Sequence, residues 1–489
     1  MLRQCTKIFK AFDNANIKYC HWKSNEHLLA GLNGDTDLDV LIEKEKHNKI
    51  NSILMDMGFK RGKTLFYLDY PSIQDFIGFD EATGKMIHLH LHFELMIGKK
   101  FIKGINLPWE KVIFETRKKD SETDVYVIDP NIEMILLFIR NYIKLTIYKK
   151  MKTKKLSNND VIEYSWLKNH IDKSSIVNFS KNLFSEELGY NITTYIDNES
   201  SKGFKKINRN IKKVLVEKYN YNKFREDIKY YFIKLIAAKN YILHKKLKLP
   251  TLYRRGLPEG GVVITFIGVD GSGKSSLIKE VKQWLSWKFD IYNIYFGSGD
   301  GSSSLLRLPL KIIAKLRVKK RGDARHYTEA DINKKNKNLS IAKAIWALTL
   351  AAEKKNKIYS MLKAKNKGML VLTDRFPQTQ IMGFNDGPLL DNWKESKSAL
   401  KRKMYQYETN IYKLSETFSP SIVFKLKIDK ELSAKRKNDT PMYMIEKKID
   451  AINILEFNNS TIIDIDTRGA VEISALQIKQ ELWKFLSEN

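Results

Sequence analysis

The sequence predicts an α/β protein in three regions. A parallel sheet with flanking helices occupies residues 256–489, an α+β domain occupies 1–130, and a basic helical region, 131–255, connects them. Three observations carry this. Val262 to Ile267 is a short, continuous, β-branched apolar run, as suits a strand buried on both faces, and helix and strand patterns alternate from there to the end. Short apolar runs separated by turn signals fill the first region. Between the two, Gly is nearly absent, Lys is frequent and apolar residues fall at helical spacing.

In the first region Cys5–Phe12 and Glu43–Met57 predict helices, while Leu65–Leu68, Met86–Phe93 and Val125–Ile128 predict strands. In the second, Asp129-Pro130 is a helix-start signal for Asn131–Tyr148, and Ser180–Leu188, Ile211–Glu217 and Phe224–Leu247 continue the helical style. Pro250, Gly256, Pro258 and Gly260-Gly261 mark a linker. Beyond the strand at Val262, the helix Leu277–Trp287, the strands Ile291–Phe296, Met369–Leu372, Val423–Leu426 and Thr461–Asp466, and the helix Val471–Leu486 complete an alternating series.

Composition narrows the class. The chain has 489 residues, 43% hydrophobic and 29% charged, which suits a globular protein of two or three domains. No run approaches the ~20 apolar residues that span a bilayer, and Met1–Ala11 has neither the apolar core nor the cleavage site of a signal peptide. The two cysteines, Cys5 and Cys20, form no disulfide framework and no zinc spacing, so the expected location is cytoplasmic. Lys and Arg number 86 against 56 Asp and Glu, a net charge of +30. This favours anionic partners, although a Lys-, Asn- and Ile-rich composition accounts for it equally well.

The most informative motif is Gly268-Val269-Asp270-Gly271-Ser272-Gly273-Lys274-Ser275-Ser276, which fits G-x-x-x-x-G-K-[ST] between a predicted buried strand and a predicted helix. Chemistry requires this placement. Glycines let the backbone close on phosphate oxygens, and successive N–H groups at a helix N-terminus face the anion. Lys274 is expected to reach the β and γ phosphates of ATP, and Ser275 to hold Mg²⁺.

This loop resembles the thymidylate kinase form of the P-loop, in the nucleoside monophosphate kinase fold, over residues 260–489. Thr373-Asp374-Arg375-Phe376, at the end of an apolar strand, resembles the family's Asp-Arg-aromatic element. The resemblance implies Asp374 near the metal and Arg375 near the transferring phosphate. Ala434-Lys435-Arg436-Lys437 resembles its lid, with Arg436 the lid arginine, and Asp270 resembles the acid beside the acceptor sugar hydroxyl. The acceptor half departs. Gly297-Ser298-Gly299-Asp300-Gly301 stands where the family has an acceptor-binding Arg, and Ala352-Glu353-Lys354 where its middle helix has another. The expected acceptor is therefore an anionic small molecule or a glycan hydroxyl other than thymidine monophosphate. Similar divergent domains accompany surface polysaccharide synthesis. In the insertion, Leu305–Arg321 interleaves Leu and Ile with Lys and Arg; it either lies on an anionic membrane or packs on the kinase core, with Pro309 interrupting it.

In the first region, Gly34-Asp35-Thr36-Asp37-Leu38-Asp39 sets Asp37 and Asp39 two apart at the start of an apolar run, on one strand face, where paired carboxylates hold a divalent metal. The stretch resembles the nucleotidyltransferase fold, with His21–Asn25 as its turn and His90 where a third carboxylate is expected. His88, His90 and His92 alternate onto one face. Three functions remain open on sequence: an ATP-dependent phosphotransferase fused to a nucleotidyltransferase-like domain, a nucleotide sensor with little turnover, and a nucleic-acid end-processing enzyme, the last the least favoured.

Overall fold

The computed structural model describes residues 1–70, 72–145, 156–297, 341–382, 386–437 and 440–488. Leu305–Arg321 lies outside the described residues. The chain forms two compact units, Met1–Ile242 with Leu486–Asn489, and Leu243–Phe485.

The first unit is built on a mixed seven-stranded sheet. Its elements in chain order begin with α1 (Arg3–Asn14), β1 (Tyr19–His21), β2 (Leu38–Ile42), α2 (His47–Asp56), β3 (Lys60–Arg61), β4 (Ile73–Asp80) and β5 (Lys85–His92). The hairpin β6 (Met96–Lys99) and β7 (Ile102–Asn106) follows, then β8 (Lys118–Lys119) and β9 (Tyr126–Val127). The sheet order is β3-β4-β5-β2-β1-β9-β8. β2 runs parallel to β5 and pairs Asp39 with His90; β4 runs antiparallel to β5 and pairs Asp75 with the same His90. One row across three strands thus carries Asp39, His90 and Asp75.

Helices α3 (Pro130–Lys144), α4 (Asn158–Lys168), α5 (Lys173–Leu183), α6 (Glu186–Asn198), α7 (Ser201–Tyr219) and α8 (Lys223–Tyr241) complete the unit. α3 starts where the sequence places it: Asp129 accepts a hydrogen bond from the Asn131 N–H and Pro130 occupies the first turn. Every residue from Asn131 to Ile143 is buried, the apolar side chains in the core and the polar Glu133, Arg140 and Asn141 paired with Asn25, Glu163 and Asp160. One core joins Cys20, Trp22 and Leu41 to Phe138, Leu188 and Leu215, so sheet and helices share an interior.

Two local expectations differ. Leu65–Leu68 is a turn closed by the Leu68 N–H on the Leu65 carbonyl at 2.7 Å. The helix expected over Ser180–Leu188 is two helices, because the Ser185 hydroxyl accepts the Leu188 N–H and so caps a new start.

The second unit is a five-stranded parallel sheet of β10 (Val263–Gly268), β11 (Ile291–Tyr295), β12 (Leu370–Asp374), β13 (Ile422–Lys427) and β14 (Thr461–Asp466), in the order β11-β12-β10-β13-β14. Its helices are α9 (Lys274–Leu285), α10 (Ile341–Asn366), α11 (Ala399–Thr417), α12 (Lys430–Arg436), α13 (Met442–Ile454) and α14 (Val471–Glu488). β10, flanked on both sides, is buried at all of its residues, and the order reverses on either side of it. A ligand crevice is expected outside the carboxyl ends of strands at such a point.

Candidate functional site

Beyond the ends of β10 and β12 lies a cavity of about 460 Å³ lined by Asp270, Gly271, Lys274, Ser275, Asp374 and Arg375, with Gly273, Ser276, Tyr295 and Lys437. Backbone geometry makes this loop possible. Gly271 and Gly273 hold φ of +84° and +81°, in the left-handed region that side chains disfavour. A Cβ on Gly271 would also meet the Ser433 carbonyl oxygen at 2.7 Å. Ser433, in turn, donates its hydroxyl to the Asp270 carbonyl at 2.7 Å, so α12 is fastened to the loop. The Ser272 hydroxyl is buried, and a Cβ on Gly268 would meet its oxygen at 2.5 Å.

Lys274 is buried, and its Nζ donates to the carbonyls of Gly268 and Val269 at 2.7 and 2.8 Å. Burial, reinforced by Arg375 and Lys448 and opposed by Asp374 and Asp270, brings its ammonium down to about 8. Burial pushes the Asp270 carboxyl up, but Lys448, which donates to Oδ2 at 2.7 Å, together with Lys274 and Arg375, outweighs it and holds Asp270 at about 2. Burial raises the Asp374 carboxyl against the pull of Lys274 and Arg375. Asp374 Oδ1 is buried with no hydrogen-bond partner among the described residues. Ser275 lines the same cavity, so the two offer a hydroxyl and a free carboxylate oxygen, a donor set that fits Mg²⁺.

Arg375 takes φ +67°, a strained conformation for a non-glycine residue. Its N–H donates to the Phe266 carbonyl at 2.9 Å, while its guanidinium lies 3.5 Å from Asp270 and 3.8 Å from Asp386. Arg436 takes another direction. It donates to the carbonyls of Thr467 and Arg468 at 2.9 and 3.2 Å, beyond the end of β14, and its neighbour Lys437 lines the cavity. On the acceptor side Lys354 is buried, donating to the Asp386 carbonyl at 2.9 Å and the Tyr412 hydroxyl at 3.1 Å, with the Asp386 carboxylate also 3.1 Å away. Sequence reasoning missed Lys448 and Asp386, which belong to no motif; within the lid stretch it singled out Arg436, whereas Lys437 is the residue that lines the cavity.

The first unit has a cavity of its own, about 450 Å³, lined by Trp22, Lys23, Ser24, Asp39, Lys103 and Arg140 among others. Lys23 lies 2.9 Å from Asp39, and the His90 Nδ1–H donates to the same oxygen at 2.9 Å. Burial pushes the Asp39 carboxyl up, but Lys23 and the hydrogen bonds of His90 and His92 hold it well below the usual range. Burial lowers His90 and His92, leaving neutral imidazoles. Asp37 pairs with His88 at 2.9 Å, and the other ring nitrogen of His88 reaches Asp75 at 2.7 Å. Asp75 is thus a third carboxylate beside the pair read from sequence, and only the sheet register reveals it. Asp39, His90 and His92 offer metal-ligand atoms within 4.8 Å of one another. Burial and the nearby Lys23 bring Lys103 down to about 8.

No family model matches the chain. It is 29% identical over 209 residues to the uncharacterized ATP-binding protein YghS of Escherichia coli (strain K12), covering 42% of this chain and 86% of that protein. It is 32% identical over 122 residues to the thymidylate kinase of Ligilactobacillus salivarius (strain UCC118), covering 25% of this chain and 49% of that enzyme. Among solved structures, thymidylate kinase from Ehrlichia chaffeensis aligns with 46% of this chain and 98% of its own, at 17% identity and a TM-score of 0.25.

Proposed function

We propose that the second unit is an ATP-dependent phosphotransferase of thymidylate kinase type whose acceptor is a hydroxyl compound other than thymidine monophosphate. One observation carries the reading: the glycine loop, Lys274, Ser275, Asp374 and Arg375 converge on one cavity at the ends of β10 and β12. Similarity to an ATP-binding protein and to a thymidylate kinase supports it.

In this reading the N–H groups of residues 271–276 and the N-terminus of α9 cradle the β and γ phosphates, and Lys274 bridges them. Ser275 and Asp374 would hold Mg²⁺, which neutralises charge on the triphosphate. The acceptor oxygen forms the new P–O bond as the bond to the departing ADP oxygen breaks. Arg375 balances negative charge on the equatorial oxygens. Asp270, held ionised by Lys448 and Arg375, is a weak base; it orients the acceptor hydroxyl by accepting its hydrogen bond, and that proton passes late to an oxygen of the transferred phosphoryl group. Arg436 joins through movement of α12, since its guanidinium is engaged at Thr467 and Arg468. Lys354 is committed to Asp386, which disfavours a phosphomonoester as acceptor and favours a glycan-type hydroxyl. The same commitment supports a second reading, a nucleotide sensor with little turnover.

Incubating the protein with γ-labelled ATP and a panel of sugars, sugar phosphates and nucleotides separates the two. Sustained label transfer to one acceptor class supports the kinase; ATP binding without transfer to any acceptor removes it.

For the first unit the reading is a nucleotidyltransferase-like pocket for a phosphorylated ligand, received by Lys23, Lys103 and Arg140. Asp39 would hold a divalent cation there, with His90 and His92 adding nitrogen donors; Asp37, expected as the second carboxylate, is paired with His88 and is not in the lining of this cavity.

Lys274 supplies a pH test. Its ammonium titrates near 8 without nucleotide, and a bound triphosphate raises that value. ATP affinity by calorimetry is therefore constant below pH 7 and falls by up to about tenfold per unit above 8. Binding at pH 8 takes up protons, so the heat varies with the buffer's ionisation enthalpy. A flat affinity between pH 7 and 9.5 rejects a protonated Lys274 as the phosphate ligand.

A further inference from the structure

Helix α8 packs one face against the first unit and leaves an apolar stripe exposed on the other. The inner face is anchored on the β6–β7 hairpin and the turn before β4. Asp227 pairs with Lys99, the Tyr230 ring lies 6.4 Å from Phe101, and Asn240 donates to the Tyr67 hydroxyl at 3.3 Å. The outer face carries Phe224, Ile228, Tyr231 and Leu235, whose spacing at ~100° per residue places them in one stripe. Phe224, Ile228 and Leu235 are 66%, 55% and 71% exposed, and Phe232 at the edge of the stripe is 64% exposed. A contiguous exposed apolar surface of this kind marks an interaction site.

Charge selects the occupant. Between Lys223 and Ile242 five Lys and Arg side chains stand against two acids, Glu226 and Asp227. Both acids are engaged, Asp227 with Lys99 and Glu226 with Lys229 at 3.7 Å. A second copy of this face would set cation against cation. An anionic lipid surface satisfies both features: the acyl boundary takes the apolar stripe and the headgroups take the flanking ammonium groups. Tyr231, within the stripe, is an aromatic side chain of the kind that settles at headgroup depth. The chain's net charge of +30 adds long-range attraction. Among the described residues no helix is long and apolar enough to cross a bilayer, so α8 would lie in the interface rather than span it. We infer that α8 is a docking helix that lays its Phe224–Leu235 stripe on an anionic membrane surface.

The test is co-sedimentation of the full chain with vesicles of phosphatidylcholine alone or mixed with phosphatidylglycerol. The protein is expected to pellet with the mixed vesicles only, and less so as salt is raised. Phe232→Glu with Leu235→Glu should lower partitioning about a hundredfold, with circular dichroism unchanged because both positions are exposed. Lys234→Ser with Lys239→Ser keeps the stripe and should weaken binding roughly tenfold through lost headgroup attraction. Three results overturn the inference: equal binding to neutral vesicles, wild-type partitioning by the Glu variant, or light scattering that shows a lipid-free dimer which the Glu variant converts to monomer.

Discussion

Lys274→Ala is expected to lower the rate of γ-phosphoryl transfer by about 10²–10³-fold or more while the chain stays folded. In the proposed mechanism the ammonium converges with the loop N–H groups on the place where charge builds between the leaving oxygen and the γ phosphorus. It works in a site whose burial already depresses its titration, so the charge is poorly screened. The fold loses little. Lys274 Nζ donates to two carbonyls of the loop, at Gly268 and Val269, and removing a buried ammonium also removes its desolvation cost. The measurement is single-turnover transfer with the best acceptor, alongside thermal unfolding. Lys274→Arg retains charge but not the compact tetrahedral head, and recovers only part of the rate. A Lys274→Ala protein that unfolds like wild type and turns over at the wild-type rate ends the P-loop mechanism.

The phosphate loop was legible because everything it needs is local. A buried strand, glycines at the turns and a helix start lie within about a dozen consecutive residues, and each is written in residue type. Asp374-Arg375 was legible for the same reason, as the end of an apolar run. What surrounds them was not. Lys448 fixes Asp270 from 178 positions away, and Asp386, in the segment between β12 and α11, meets both Arg375 and Lys354. The same limit applies in the first unit. Asp39 and His90 stand out in the sequence, but Asp75 joins them only through the antiparallel register of β4 on β5, which alternation alone does not set. Arg436 shows the converse: its residue type suits a lid, yet the carbonyls beyond β14 decide where its guanidinium rests.

The first unit's stability rests on a buried charge cluster, and Arg140→Ala is expected to cost about 3–5 kcal/mol there. Arg140 pairs with Glu163, and Glu133 and Glu26 lie alongside. All of these side chains are at least nine-tenths buried. Burial, with Glu163 adding to it and Arg140 opposing it, already pushes Glu133 up to about 8. The Asn25 N–H and Nδ2 donate to Glu133 at 3.1 and 2.6 Å, which ties the turn beside the cavity to the cluster. Without the guanidinium, three carboxylates face one another with no cation among them, and their folded-state titration rises further. The sign follows from that rise. A carboxyl titrating higher in the folded than in the unfolded chain costs nothing below about pH 4.5, costs progressively more as pH rises, and reaches its full penalty above the folded-state value. The Arg140→Ala deficit should therefore be small near pH 5 and largest above pH 8, where the unfolding transition of this unit falls by about 10 °C. Adding Glu133→Gln removes one charge while keeping an acceptor for Asn25, and should restore part of the loss at pH 8 but little at pH 5. If the deficit is instead equal at both pH values, the lost packing of the arginine stem is the cause, and the carboxylates hold no net charge for Arg140 to balance.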